Sequence, residues 1–222
     1  MCGVISHIEM NENRLNMVLD QIEDSVTRLI IPEGVEVIEK KANFEPGKAL
    51  EELIMPDSVV AIQAHTFVAN KSLKNIKLSK NLRWIGKGAF EQCESLTEVD
   101  IPDSVEYIGE CAFSQCKRLK YVHLPNNEKY ISIKRSCFGL CDLRELKIPK
   151  QIKIIEKTAF YYNKNLEGFK VPDSLPGGLE ILGYLAFQGC KNITGTLDLT
   201  KWKELDAFAK VFDGTQVRVV RY

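Results

Sequence analysis

The sequence has no excess of charge of either sign: 30 lysines and arginines face 30 aspartates and glutamates across 222 residues. That balance gives no electrostatic case for DNA, RNA or an anionic membrane surface as partner. There is no run of about 18 apolar residues, so membrane insertion is not expected. Glu9, Glu12, Asp20, Glu23 and Asp24 crowd the N-terminus, and no basic segment leads into an apolar one, which argues against a secretory signal. CxxC spacing is also missing. Cys111–Cys116 and Cys137–Cys141 are spaced differently, so a structural zinc site is disfavoured and no metal or other cofactor is expected. The seven cysteines are an odd number, which leaves at least one unpaired within the chain. Together these absences lead to the expectation of a reduced, cytoplasmic protein.

What is present is repetition. Segments beginning at Leu73 and Leu96 read "LKNIKLSKNLRWIGKGAFEQCES" and "LTEVDIPDSVEYIGECAFSQCKR", a period of 23 residues, and the copy from Leu119 drifts midway. Two markers keep phase. Prolines fall at Pro32, Pro56, Pro102, Pro125, Pro149 and Pro172, with Ser79 in the vacant slot. Phenylalanines fall at Phe44, Phe67, Phe90, Phe113, Phe138, Phe160 and Phe187. The shared pattern is LxxLxIPxSVxxIGxxAFxxCxx. It divides one domain into an N-terminal cap at 1–24, about seven repeats over 25–200 and a C-terminal cap at 201–222.

Each copy is too short to bury its own apolar face. In "LTEVDIP", Val99 and Ile101 alternate with Glu98 and Asp100, the pattern of a short half-buried strand. The proline ends it, because it cannot donate to a continuing ladder. "SVEYIG" supplies a second extended piece, and "AFSQC" turns the chain back, with a helical or 3₁₀ turn expected there. Stacking aligns Leu, Ile, Val and Phe into interior columns, and seven spacings of about 4.8 Å make a rod roughly 35 Å long.

These phased leucine, proline, phenylalanine and cysteine slots resemble the BspA-type leucine-rich repeat family, over about four-fifths of the chain. The resemblance implies a right-handed leucine-rich repeat solenoid, mostly β, with a parallel sheet on one, concave, face. It also implies a non-catalytic binding protein, as most members are surface or secreted. The lack of an export signal departs from that and sets cell surface or secreted against cytoplasmic as alternative locations.

Four cysteines, Cys93, Cys116, Cys141 and Cys190, lie three residues after a repeat Phe, where Asn70 and Asn163 stand in other copies. A small polar side chain there is expected to satisfy buried backbone groups. Cys137 takes the alanine slot before Phe, while Cys111 and Cys2 have no evident slot. "MCGVISH" itself resembles the start of N-terminal-cysteine amidotransferases. Only about 24 residues precede the first repeat, however, and Val4, Ile5 and Ile8 read better as an edge strand. Ile8 and Met10, then Leu15 and Met17, alternate as a β-hairpin would, with a short helix over 13–23 as the alternative. At the other end Trp202, Leu205, Phe208 and Phe212 suggest a short helix, and "QVRVVRY" a closing strand. "DSLPGGLE" reads as a loop insertion.

Two surfaces are candidates for binding. One is the exposed strand face around Glu98, Asp100, Tyr121, His123, Glu145 and Lys147, mixed in charge with a central aromatic, as suits protein or peptide contact; the alternative is an ordinary solvated face. Asp100 and His123 resemble a catalytic pair, and Glu98, Asp100 and His123 a metal site, but a flat sheet excludes no water. The other is an apolar row through Val37, Ala61, Trp84, Tyr107, Ile154 and Ile181, with Trp84 and Tyr107 on adjacent rungs. It is either a strip for a partner or partly interior. The expectation is a monomeric, non-catalytic protein- or peptide-binding scaffold, or an adhesin-like surface protein.

Overall fold

The computed structural model describes residues 4–11, 14–45, 48–171, 173–198 and 210–220, with residues 4–11, 14, 43–45 and 198 described by their backbone. The strands begin with β1 (Val4–Asn11), β2 (Arg14–Ile22), β3 (Arg28–Ile30), β4 (Val37–Glu45), β5 (Glu52–Ile54) and β6 (Ala61–Ile62). They continue with β7 (Asn75–Lys77), β8 (Trp84–Ile85), β9 (Glu98–Asp100), β10 (Tyr107–Ile108), β11 (Tyr121–His123) and β12 (Ser132–Ile133). The last are β13 (Ile154–Ile155), β14 (Lys170–Val171), β15 (Ile181–Leu182), β16 (Thr194–Asp198) and β17 (Gln216–Val220). They wind as a parallel β-solenoid of about 8 turns, with almost no helix among the described residues.

Each turn lays one strand on each of two faces. The "LxxLxIP" strands form the ladders β3–β5–β7, β9–β11 and β14–β16–β17, and the "VxxIG" strands form β2–β4–β6–β8–β10 and β12–β13–β15. Strands thus line two faces, a first and a second sheet each interrupted along its length, in place of the sheet expected on one face, because "SVEYIG" is long enough for a two-residue rung of its own. Register is strict: Glu98, Val99 and Asp100 oppose Tyr121, Val122 and His123, so every column keeps one side of the sheet. β1 and β2 pair antiparallel, and β2 pairs parallel with β4, so β1 is the N-terminal edge of the second sheet. The first repeat departs from the others, since β4 runs from Val37 to Glu45 where later copies turn. The side chain of Phe44 lies outside the described residues, as do the helix suggested around Trp202, Leu205 and Phe208 and the residue Cys2.

The third side differs from the helical turns expected. In repeat after repeat the residues two before and two after the phenylalanine are left-handed: His65 and Ala69, Cys111 and Gln115, Thr158 and Tyr162, all with φ between 56° and 60°. Gly88 and Gly189 occupy the same slots with φ of 58° and 75°. A left-handed residue breaks a helical run, at about 1–2 kcal/mol each for non-glycine types. Here it also swings amides along the solenoid axis. Gly88, Phe90 and Gln92 donate to the carbonyls of Glu110, Ala112 and Ser114 on the next turn, at 2.8, 2.8 and 2.9 Å. A third backbone ladder results, which offsets the strain and satisfies amides that sit beside the core.

Phe67, Phe90, Phe113, Phe138, Phe160, Phe187 and Phe212 stack in one file, with ring centroids 5.2–5.8 Å apart. Phe212 therefore belongs to the repeat, one turn beyond the copies apparent in the sequence, and β17 follows it as the expected closing strand.

Candidate functional site

The outward columns of the first sheet carry the chemistry. Strand alternation turns Leu53, Val99 and Val171 into the core and leaves Glu98, Asp100, Tyr121 and His123 exposed on β9 and β11. Tyr121 is 50 % exposed, a large aromatic with no ring neighbour among the described residues, in the middle of this face. His123 does not pair with Asp100 across the rung. Its Nε2 lies 3.6 Å from Asp103 Oδ1, on the loop after β9. Arg28 meets Glu52 in the adjoining column, 2.7 Å apart and solvent-exposed, so that pair adds little to stability.

Beyond β11 the ladder stops. Arg144 N–H still donates to the Lys120 carbonyl at 2.9 Å, but Glu145, Leu146 and Lys147 form no strand and no rung with Tyr121–His123. Two more residues than usual separate Pro125 from Phe138, and the chain is held past the interruption by Gln151 Nε2 donating to the Pro125 carbonyl at 3.0 Å. Glu145 and Lys147 are exposed nonetheless. Open depressions surround Tyr121. One of about 450 Å³ lies toward Glu98 and Asp100. Two of about 670 and 790 Å³ lie toward Lys147 and Arg144. All six residues singled out in the sequence thus line one continuous surface. Such a surface can grip an extended segment, but it does not enclose a reacting group. Among the described residues no three His, Cys, Asp or Glu side chains converge as metal ligands would.

On the second sheet Trp84 and Tyr107 stack at 3.9 Å with 15° between planes, and Trp84 is 45 % exposed. The row is graded, not uniform: Val37 and Ala61 are buried, Tyr107 and Ile154 half-buried, and Trp84 and Ile181 exposed.

The cysteine slot is structural. Cys93, Cys116, Cys141 and Cys190 donate to the carbonyls of Phe67, Phe90, Phe113 and Phe160 on the preceding turn, at 3.4, 3.2, 3.2 and 3.2 Å. Asn163 donates likewise to Phe138 at 2.8 Å, and Thr215 Oγ1 to Phe212 of its own turn at 2.6 Å. Burial pushes the Cys116 and Cys190 thiols up to about 12, and those of Cys93, Cys137 and Cys141 well above the ordinary range, so none is a ready nucleophile. Cys111 does have a slot, the left-handed position of Gly88 and Thr158. Only the backbone reveals it, because His, Cys, Ser, Thr and Leu share no chemistry that marks the position.

The fold and this site define a class: a repeat scaffold with an open, side-chain-bearing sheet face and a closed hydrophobic interior. The chain belongs to the family of BspA type leucine rich repeat regions, which matches residues 21–132 and 131–209 in 6 copies. It is similar to the Treponema pallidum (T. pallidum) leucine rich repeat protein TpLRR, at 26% identity over 83% of this chain and 86% of that one, with a TM-score of 0.72. It shares its fold with the pneumococcal vaccine antigen PcpA, at 18% identity over 98% and 76% of the two chains and a TM-score of 0.62. The same holds for a leucine rich cell surface protein from Faecalibacterium prausnitzii, at 18% identity over 87% and 69%, TM-score 0.56. No curated protein is a significant match.

Proposed function

We propose that this chain is a monomeric, non-catalytic scaffold that binds a protein or peptide across the exposed face of its first sheet. Tyr121 carries the proposal. A half-exposed aromatic on a rigid strand, with depressions on both sides and charges of both signs around it, is the composition of an interface centre. Glu98 and Asp100 supply acceptors on one side of it, Lys147 a donor on the other, and His123 and Glu145 complete the patch. The rigid backbone ladders keep these groups preorganised, so little ordering cost falls on binding.

The test is affinity capture from extracts of the native cell and its surroundings, with wild type and a Tyr121→Ala/His123→Ala variant side by side. A specific partner held by wild type and lost by the variant supports the assignment. A partner retained equally by both overturns the choice of face.

A second reading is an adhesin-like surface protein, favoured by the shared fold with the F. prausnitzii cell surface protein. The six described cysteines are free, which suits the cytoplasmic alternative instead. Protease treatment of intact cells separates the two: loss of the protein places it outside, and survival until lysis places it inside.

A further inference from the structure

Neighbouring turns of this solenoid hold one another by ion pairs between like positions of successive repeats. Glu94 lies between Lys71 and Lys117, at 3.6 and 3.1 Å, and Glu110 between Lys87 and Arg135, at 3.5 and 2.8 Å. The Lys117 and Arg135 hydrogen bonds hold these two carboxyls below the usual carboxylate range. Both columns run along the turn side and flank the file of left-handed residues.

Toward the C-terminus the carboxylates run out. In the column of Lys87, Glu110 and Arg135 the next members are Lys157 and Tyr184. Lys157 lies 5.4 Å from the Tyr184 ring and Lys210 5.9 Å from it, where a glutamate bridged the earlier pair. In the column of Lys71, Glu94 and Lys117, Asp142 turns to Asn165 and Arg144, and Lys164 and Lys191 follow. Lys164 rests 5.2 Å from the Tyr162 ring. These four lysines have no carboxylate partner among the described residues. Both tyrosines are exposed between them. The whole chain echoes the imbalance. Residues 1–110 hold 11 basic and 19 acidic side chains and residues 111–222 hold 19 and 11, so a neutral protein is divided into halves of net −8 and +8.

We infer that Lys157, Lys164, Lys191 and Lys210, with Tyr162 and Tyr184, form a second binding surface, and that its occupant is an acidic extended segment of a partner protein. The chain's own architecture indicates the chemistry. Glu94 and Glu110 on this side each bridge two cations one rung away on either side, and around Tyr184 the cations remain while the carboxylate is missing. The tyrosine faces already carry ammonium groups, so they are not free platforms for nucleobases. Their hydroxyls and the lysine ammonium groups are donors suited to Asp and Glu side chains.

The test uses a short fluorescent peptide with glutamate at alternate positions, its lysine counterpart, and the full chain. Anisotropy is expected to show saturable binding of the glutamate peptide alone, weakening as salt shortens the Debye length. Lys157→Glu/Lys210→Glu and Lys164→Glu/Lys191→Glu should each weaken it by roughly tenfold or more. An Arg83→Glu/Lys80→Glu variant with the same change in net charge should not. Equal loss in that control reduces the effect to overall charge and overturns the inference. So does a sulfated polysaccharide of equal charge that displaces the peptide completely at lower concentration. A salt-sensitive dimer in sedimentation without peptide also overturns it, since the occupant is then the acidic half of a second copy. All three variants keep the Tyr121 surface, so failure here leaves that proposal standing.

Discussion

A single slot three residues after the repeat phenylalanine holds Asn70, Cys93, Cys116, Cys141, Asn163, Cys190 and Thr215. The requirement there is a small donor aimed at a phenylalanine carbonyl, which an amide, a thiol and a hydroxyl all meet. Exchange within that set should therefore preserve the fold while changing its response to pH. The Cys190 thiol sits at about 12 against an ordinary 9.0 because burial penalises the thiolate. Below the ordinary value both native and unfolded chains keep the proton. Between the two values the unfolded chain releases it and the native chain does not, so stability falls as pH rises through that window, by about 1.4 kcal/mol per pH unit per thiol. Cys190→Asn should fold normally and lose one thiol's share of this alkaline slope, measured by urea unfolding at a series of alkaline pH values. An unchanged slope would show that the thiol is solvated.

At the scale of the element, the irregular repeat after Pro125 is the place where a local compromise is visible. Its two extra residues are absorbed by Asn127, whose Oδ1 accepts from the amides of Lys129 and Tyr130 at 2.9 and 3.1 Å. Its Nδ2 donates to the Asp103 and Val105 carbonyls of the preceding turn, at 2.6 and 2.8 Å. The turn sends Tyr130 into the column of Val105 and Ile152, where it is fully buried and its hydroxyl has no partner among the described residues. A buried polar group left unpaired costs about 1–3 kcal/mol. Tyr130→Phe removes the hydroxyl and keeps the ring, so it should raise the melting temperature, by several degrees if the gain is near the lower bound. A lower melting temperature would mean that the hydroxyl is hydrogen-bonded in solution.

The same element shows where sequence reading succeeds and stops. The interior columns, the alternation on β9 and β11 and the cysteine slot follow from period and side-chain chemistry, which one copy repeats to the next. The interrupted ladder at Glu145–Lys147 and the burial of Tyr130 do not, because an insertion shifts phase and the chain resolves it through backbone geometry. The left-handed positions are hidden for a related reason: ladder bonds between turns, not residue type, hold His65, Cys111 and Ser136 at positive φ. The candidate surface around Tyr121 was legible as a set of outward positions. Two of the depressions that shape it lie at that break in register.

For the whole molecule, the contacts run between successive turns, so stability should be close to a sum of turns and nearest-neighbour interfaces. Removing one full period from the interior then costs one turn and one interface and leaves both ends as they are. Excising residues 74–96 joins Leu73 to Thr97, the same step that Leu96 makes in the intact chain, and brings Phe67 next to Phe113 in the file. The shortened protein should unfold in one cooperative transition at a lower temperature, with its circular dichroism per residue unchanged and the Tyr121 surface intact. Excision of a stretch that is not a multiple of the period misaligns every column beyond the junction, and alternation then turns Leu and Val outward on one side of it. That variant should aggregate or melt without cooperativity. If the in-phase deletion fails in the same way, stability does not divide into turns, and the solenoid folds as one indivisible unit fixed by its two ends.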